Sequence, residues 1–189
     1  MDIKKFWQLI DQCKYSDNPE LRLEELLDGQ TADEVMAFDC YLEWLQHYAD
    51  RADIYGAAYI LHQVCDEEEF LNFIRGLIAM GKSVYEATLK DAEHLQWLWL
   101  QEPIENESIG WVARKVYARK MGISIFDAMD VLMANSDETE INIYIDGERY
   151  EKPEIGEWNF EDEQENRKHL PKLSRLMYDI QLVPNPHLG

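Results

Sequence analysis

The chain has 189 residues, 38 acidic and 18 basic, for a formal charge of −20. That charge repels phosphate backbones and anionic membranes and attracts basic protein surfaces, so a basic protein is an expected partner while nucleic acid and membrane are not. At 46% hydrophobic and 12% aromatic residues it is too apolar for disorder, and its length suits one domain with a substantial core.

The start, Met1-Asp2-Ile3-Lys4-Lys5-Phe6-Trp7, lacks the apolar stretch of a secretory signal, and no run approaches the roughly 20 apolar residues of a membrane span, so a cytoplasmic protein is expected. Ile3, Phe6, Trp7, Ile10 and Cys13 recur at steps of three and four and predict a first helix. Pro19 and Gly29 bracket a second, since proline suits a first helical turn and glycine a helix end. Thr31 with Glu34 reads as a capping box ahead of the stripe Val35, Phe38, Leu42, Leu45 and Tyr48. The same device at Asp66 with Glu69, Ser83 with Glu86 and Ser124 with Asp127 predicts three further helix starts. Ile141, Ile143 and Ile145 alternate with Asn142 and Tyr144, and Asp146-Gly147 supplies a tight turn, so a short β-hairpin is expected at about 141–151. Pro171 with Leu173, Leu176 and Met177 predicts a closing helix, and the tail from Pro184 a frayed end. The expected fold is mainly α: one multi-helix array, with a helical core over 1–135 and the acidic hairpin and C-terminal helix over 136–189 packed on it.

Chemistry-bearing residues are sparse. His62, Cys65 and Asp66 stand at helical steps that could face one metal ion, but a metal site wants a further ligand; a cap by Asp66 beside a buried Cys65 is the simpler reading, and neither metal nor cofactor is expected. Cys13, Cys40 and Cys65 are widely spaced and suit reduced thiols. In Asp53-Ile54-Tyr55-Gly56-Ala57-Ala58-Tyr59-Ile60, the small residues predict close packing by a neighbour ahead of a ligand slot. Arg75, among Phe73, Ile74, Leu77 and Ile78, needs a partner, for which Asp53 and Asp66 are candidates. Asp53, Tyr55, Tyr59, His62, Asp66 and Arg75 form the candidate pocket. No Gly-rich phosphate loop, Gly-x-Ser-x-Gly elbow or His-Glu-x-x-His motif occurs.

The charge is concentrated. Residues 137–165 hold twelve acids (Asp137, Glu138, Glu140, Asp146, Glu148, Glu151, Glu154, Glu157, Glu161, Asp162, Glu163 and Glu165) against Arg149 and Lys152, a net of −10. They form the candidate partner-binding patch. Arg114, Lys115, Arg119 and Lys120 make one basic helix beside Trp111, which is expected to dock on the protein's own acids or stay solvated.

Phe6-Trp7-Gln8-Leu9-Ile10, the Asp53 to Ile60 block, Cys65-Asp66-Glu67-Glu68-Glu69-Phe70, Ile78 to Glu86, Gly156 to Asp162 and Leu170-Pro171-Lys172-Leu173 resemble, in order, the bacterial domain-of-unknown-function family 4240. The resemblance implies a mostly helical cytosolic protein and supplies no activity. Two function classes follow. The first is a non-catalytic protein-binding module, immunity- or inhibitor-like toward a basic partner. The second is a small enzyme or ligand-binding protein using the pocket around Asp53, Tyr55 and Arg75.

Overall fold

A computed structural model describes residues 1–63, 66–98 and 104–179. Asp2 accepts a hydrogen bond from the Lys5 amide at 2.8 Å and opens α1 (Ile3–Cys13), whose apolar stripe buries Phe6 against Phe38, ring centroids 4.7 Å apart. Asn18 caps α2 (Pro19–Asp28). Thr31 and Glu34 form the full reciprocal box at the head of α3 (Ala32–Ala49), the longest helix among the described residues. Then follow α4 (Ala52–His62), α5 (Glu67–Ala79) and α6 (Lys82–Lys90), a 3₁₀ segment (Ala92–Leu98), α7 (Ile109–Met121) and α8 (Ile125–Glu138).

Two of the three further start signals act as expected. Asp66 caps α5 through the Glu69 amide, and Ser124 caps α8 through the Asp127 amide. The third does not. α6 begins two residues early, at Lys82, with Gly81 as its cap at φ +99, a backbone conformation that L side chains rarely adopt. Ser83 therefore lies inside the first turn, and Glu86 faces Lys82 at 3.5 Å instead.

α3 is the central helix, packed by α7 and α8 along its length and by α5 near its end. The buried cluster includes Phe38, Leu42, Leu45, Ile74, Leu77 and Val112. The basic helix α7 lies on α2 and is neutralised by it: Lys115 meets Glu20 at 3.0 Å, Arg119 meets Glu24 and Asp28 at 2.7 and 2.6 Å, and Lys120 donates to the Asp28 carbonyl.

The hairpin pairs β1 (Tyr144–Ile145) with β2 (Glu148–Arg149) around Asp146 at φ 53 and Gly147 at φ 86. It is shorter than 141–151, although Tyr150 N to Ile143 O extends the pairing. Trp44 and Tyr48 fasten it to α3 by donating to the Thr139 and Ile141 carbonyls. Because α8 runs to Glu138, the expected boundary at 135 falls inside a helix.

The closing segment holds more helix than the sequence pattern indicates. α9 (Glu163–His169) precedes α10 (Pro171–Ser174), which continues as a π-helical turn over Arg175–Asp179. Before them, Trp158 lies on α4 where Gly56 leaves room: a Cβ on Gly56 would stand 2.4 Å from Trp158 Cζ2. The small residues of α4 thus serve close packing, as expected, but by an indole from an irregular segment. Asn166, fully buried, accepts from Trp158 Nε1 at 2.8 Å and donates to the Phe160 carbonyl and the Tyr178 hydroxyl. Glu93 accepts from the Lys172 and Leu173 amides and holds the start of α10. The readings of Cys65 and of the tail from Pro184 lie outside the described residues.

Candidate functional site

Where α3 ends and α4 begins, the chain turns through Asp50 and Arg51 and leaves a cleft of about 750 Å³. Glu43, Gln46, His47 and Asp50 of α3 form one side; Arg51, Ala52 and Tyr55 another; Glu67, Phe70, Leu71 and Ile74 of α5 the floor. Glu157 and Phe160 close it from the C-terminal segment. Tyr55 stands between Phe70 and Phe160, its ring centroid 4.8 and 4.9 Å from theirs. Gly56, one residue on, seats Trp158, which packs on Phe160 at 4.8 Å and so places the aromatic wall.

Four carboxylates line this cleft against one guanidinium. That guanidinium, Arg51, is 7% exposed and already engaged: it clamps Asp53 at 2.9 and 2.5 Å and donates to the Leu89 carbonyl and the Tyr150 hydroxyl. Burial, with Lys152 nearby, pushes the His47 imidazole below its ordinary value. Glu43 is held by Arg114 at 2.8 Å, and Asp50 lies 3.9 Å from Lys152. Glu67 and Glu157 are exposed and have no ion-pair or hydrogen-bond partner among the described residues.

Behind Gln46 lies a buried polar layer. Arg75 donates to Gln46 Oε1 at 2.8 Å and to Asn72 Oδ1 at 3.1 Å. Room for its guanidinium comes from Gly110 on α7, where a Cβ would stand 2.6 Å from Arg75 Cζ. Asp39 is 0% exposed, neither of its oxygens is hydrogen-bonded, and Arg114 Nε lies 3.7 Å away. Burial pushes Asp39 up to about 7 against the opposing pull of Arg114. Such a group would suit proton transfer near neutral pH, but no substrate in the cleft reaches a fully enclosed carboxyl.

Of the six candidate pocket residues, only Tyr55 lines the cleft. Asp53 stands behind it, bound to Arg51. Tyr59 is half-buried one turn along α4. His62 ends α4 against Phe73, its Nε2 buried without a partner and its pKa lowered by burial, with Glu105 opposing. Asp66 is exposed and spent on its cap. The expected pairing of Arg75 with Asp53 or Asp66 is incorrect: the α5 face that carries Arg75 meets α3 and α7, where Gln46 and the space at Gly110 receive it. Among the described residues no group of three or more His, Cys, Asp or Glu could hold a metal ion.

Eleven of the twelve acids in 137–165 are exposed, and Glu165 is half-buried. Asp146 meets Lys90; Glu140 and Glu151 flank Arg149 at 3.5 and 3.2 Å; Asp162 caps α9; Glu163 and Glu165 pair with Arg167 and Lys168. Asp137, Glu138, Glu148, Glu154, Glu157 and Glu161 have no side-chain partner among the described residues. Glu157 belongs to both this patch and the cleft, so the two candidate sets meet there. Sequence reasoning missed Arg51, Gln46, Phe70 and Phe160. The one available signal was the aromatic pair Trp158 and Phe160 inside an acidic run, where apolar side chains need a surface to cover.

Fold and cleft together define a mainly α protein with an acid-rimmed aromatic cleft, a class by architecture and not by activity. The chain belongs to the family described as Protein of unknown function (DUF4240), whose sequence model matches residues 1–119. The match contains the helices that floor the cleft and stops before Glu157 and Phe160. Comparison with curated proteins and with solved structures found no match.

Proposed function

We propose that this protein is a non-catalytic binding module that recognises a basic protein partner, in the manner of an immunity or inhibitor protein. One observation carries the reading: the basic helix α7 is engaged by acids of α2 and α3, while six carboxylates between Asp137 and Glu161 stay exposed and unpaired. Spread evenly, the charge would put only about two net charges on a standard partner face of about 800 Å². Concentrated over one segment, it steers a basic surface and adds local complementarity. The alternative, a catalytic or small-ligand pocket at Asp53, Tyr55 and Arg75, has less support because Asp53 is committed to Arg51 and Arg75 to Gln46. Cys13 and Cys40 are free and buried, which suits a reducing cytoplasm.

The test is capture of a partner from the native host at low and high salt. The reading expects a basic protein whose retention falls steeply with salt and is lost when Asp137, Glu138, Glu148, Glu154 and Glu161 are changed to Asn or Gln. Recovery of no basic protein, or retention indifferent to those changes, refutes it.

A further inference from the structure

We propose that the cleft between α3, α4 and α5 is a socket for one arginine side chain of the partner. This rests on the basic-partner reading and assigns it a specific point of contact.

Charge selects a cation. Glu43, Asp50, Glu67 and Glu157 face a cleft whose single guanidinium is already held by Asp53, and Glu67 and Glu157 on the rim lack partners. The walls select its shape. Tyr55, Phe70 and Phe160 line the cleft, and aromatic walls attract a planar guanidinium; a compact, strongly hydrated ammonium gains less from the same walls and loses more on desolvation. An arginine also offers two parallel N–H groups to a rim carboxylate, which a lysine does not.

A cleft of about 750 Å³ admits a short stretch of peptide backbone as well as the side chain.

The experiment is a nuclear magnetic resonance titration of the ¹⁵N-labelled full chain with acetyl-Gly-Arg-Gly-amide. The same peptide with citrulline, which keeps the shape without the charge, is the control. The arginine peptide is expected to shift the backbone signals of Tyr55, Phe70, Glu157 and Phe160 saturably, and the citrulline peptide not. Glu67→Gln and Glu157→Gln are each expected to weaken binding about threefold, and about tenfold together. Both sites are exposed, and signal dispersion confirms that the variants fold. Equal shifts with citrulline, or no saturable shift with arginine, overturn the socket. The outcomes also separate it from the wider reading. A captured partner that tolerates the Glu67/Glu157 double variant but not neutralisation of Asp137, Glu138, Glu148, Glu154 and Glu161 overturns the socket alone. Specific arginine binding with no basic partner captured supports the socket and refutes the patch.

Discussion

Asp39→Asn tests the buried polar layer most sharply. The wild-type carboxyl is fully buried on α3 without a hydrogen bond, with Arg114 of α7 3.7 Å away, and its pKa rises from the ordinary 3.8 to about 7. Between those values the folded chain keeps a proton that the unfolded chain has released, so stability falls as pH rises through this window, and above it the full cost of burying the ion is present. At about 1.4 kcal/mol for each pH unit of displacement, that cost is on the order of 4 kcal/mol near pH 8 and about 1.5 kcal/mol near pH 5. Asparagine keeps the shape and never ionises. The variant is therefore expected to be more stable than wild type by an amount that grows from pH 5 toward pH 8. Urea unfolding of both proteins across that range measures the difference, in which the many other carboxylates cancel. A difference independent of pH, or a variant less stable near pH 8, would mean that Arg114 fully compensates the ionised Asp39 and would refute the reasoning.

Gly56→Ala drives a methyl group into Trp158; overpacking costs about 1–3 kcal/mol, offset by up to about 1 kcal/mol of helix propensity, for a net loss of about 1–2 kcal/mol seen in urea unfolding. Unchanged stability together with unchanged arginine-peptide binding would show that the indole does not depend on that space. Arg51→Met strands Asp53 and removes the donor shared by Leu89 and Tyr150, which should cost about 3 kcal/mol; a loss below about 1 kcal/mol would mean solvent replaces the clamp. Raising sodium chloride from about 0.01 M to about 1 M shortens the screening length from about 30 Å to about 3 Å, so the self-repulsion of a −20 chain fades and the melting temperature should rise. A falling one would mean that the α2–α7 ion pairs outweigh it.

Amphipathic stripes and caps were the legible features. α1 and α3 follow from apolar spacing, and the hairpin from alternation plus Asp146-Gly147, because these signals are local and the surrounding fold agrees with them. α9 escaped for a physical reason. Glu163 to His169 has no apolar stripe, and the helix is held by the Asp162 cap, by acids in its first turn and bases in its last, and by Glu163 with Arg167. Ser83 with Glu86 misled because the same spacing occurs within a helix as at its start, and the positive φ of Gly81 decides which. The cleft was half legible: Tyr55 and Glu157 were each singled out, but their meeting depends on Trp158 finding Gly56 across a hundred residues of chain. Arg75 could not be paired from sequence, since its partner Gln46 gives no charge signal.

The seat of Trp158 on Gly56 divides the labour of the cleft between two stretches of chain. Residues within the family match build the floor. The stretch that carries Glu157 and Phe160 is fastened by one indole and one buried amide, Asn166. A socket made this way is retuned by exchanging its outer wall. Altered residues around Glu157 and Phe160 would present a different rim to a different partner while the helices beneath stay as they are, provided that Gly56 remains without a side chain.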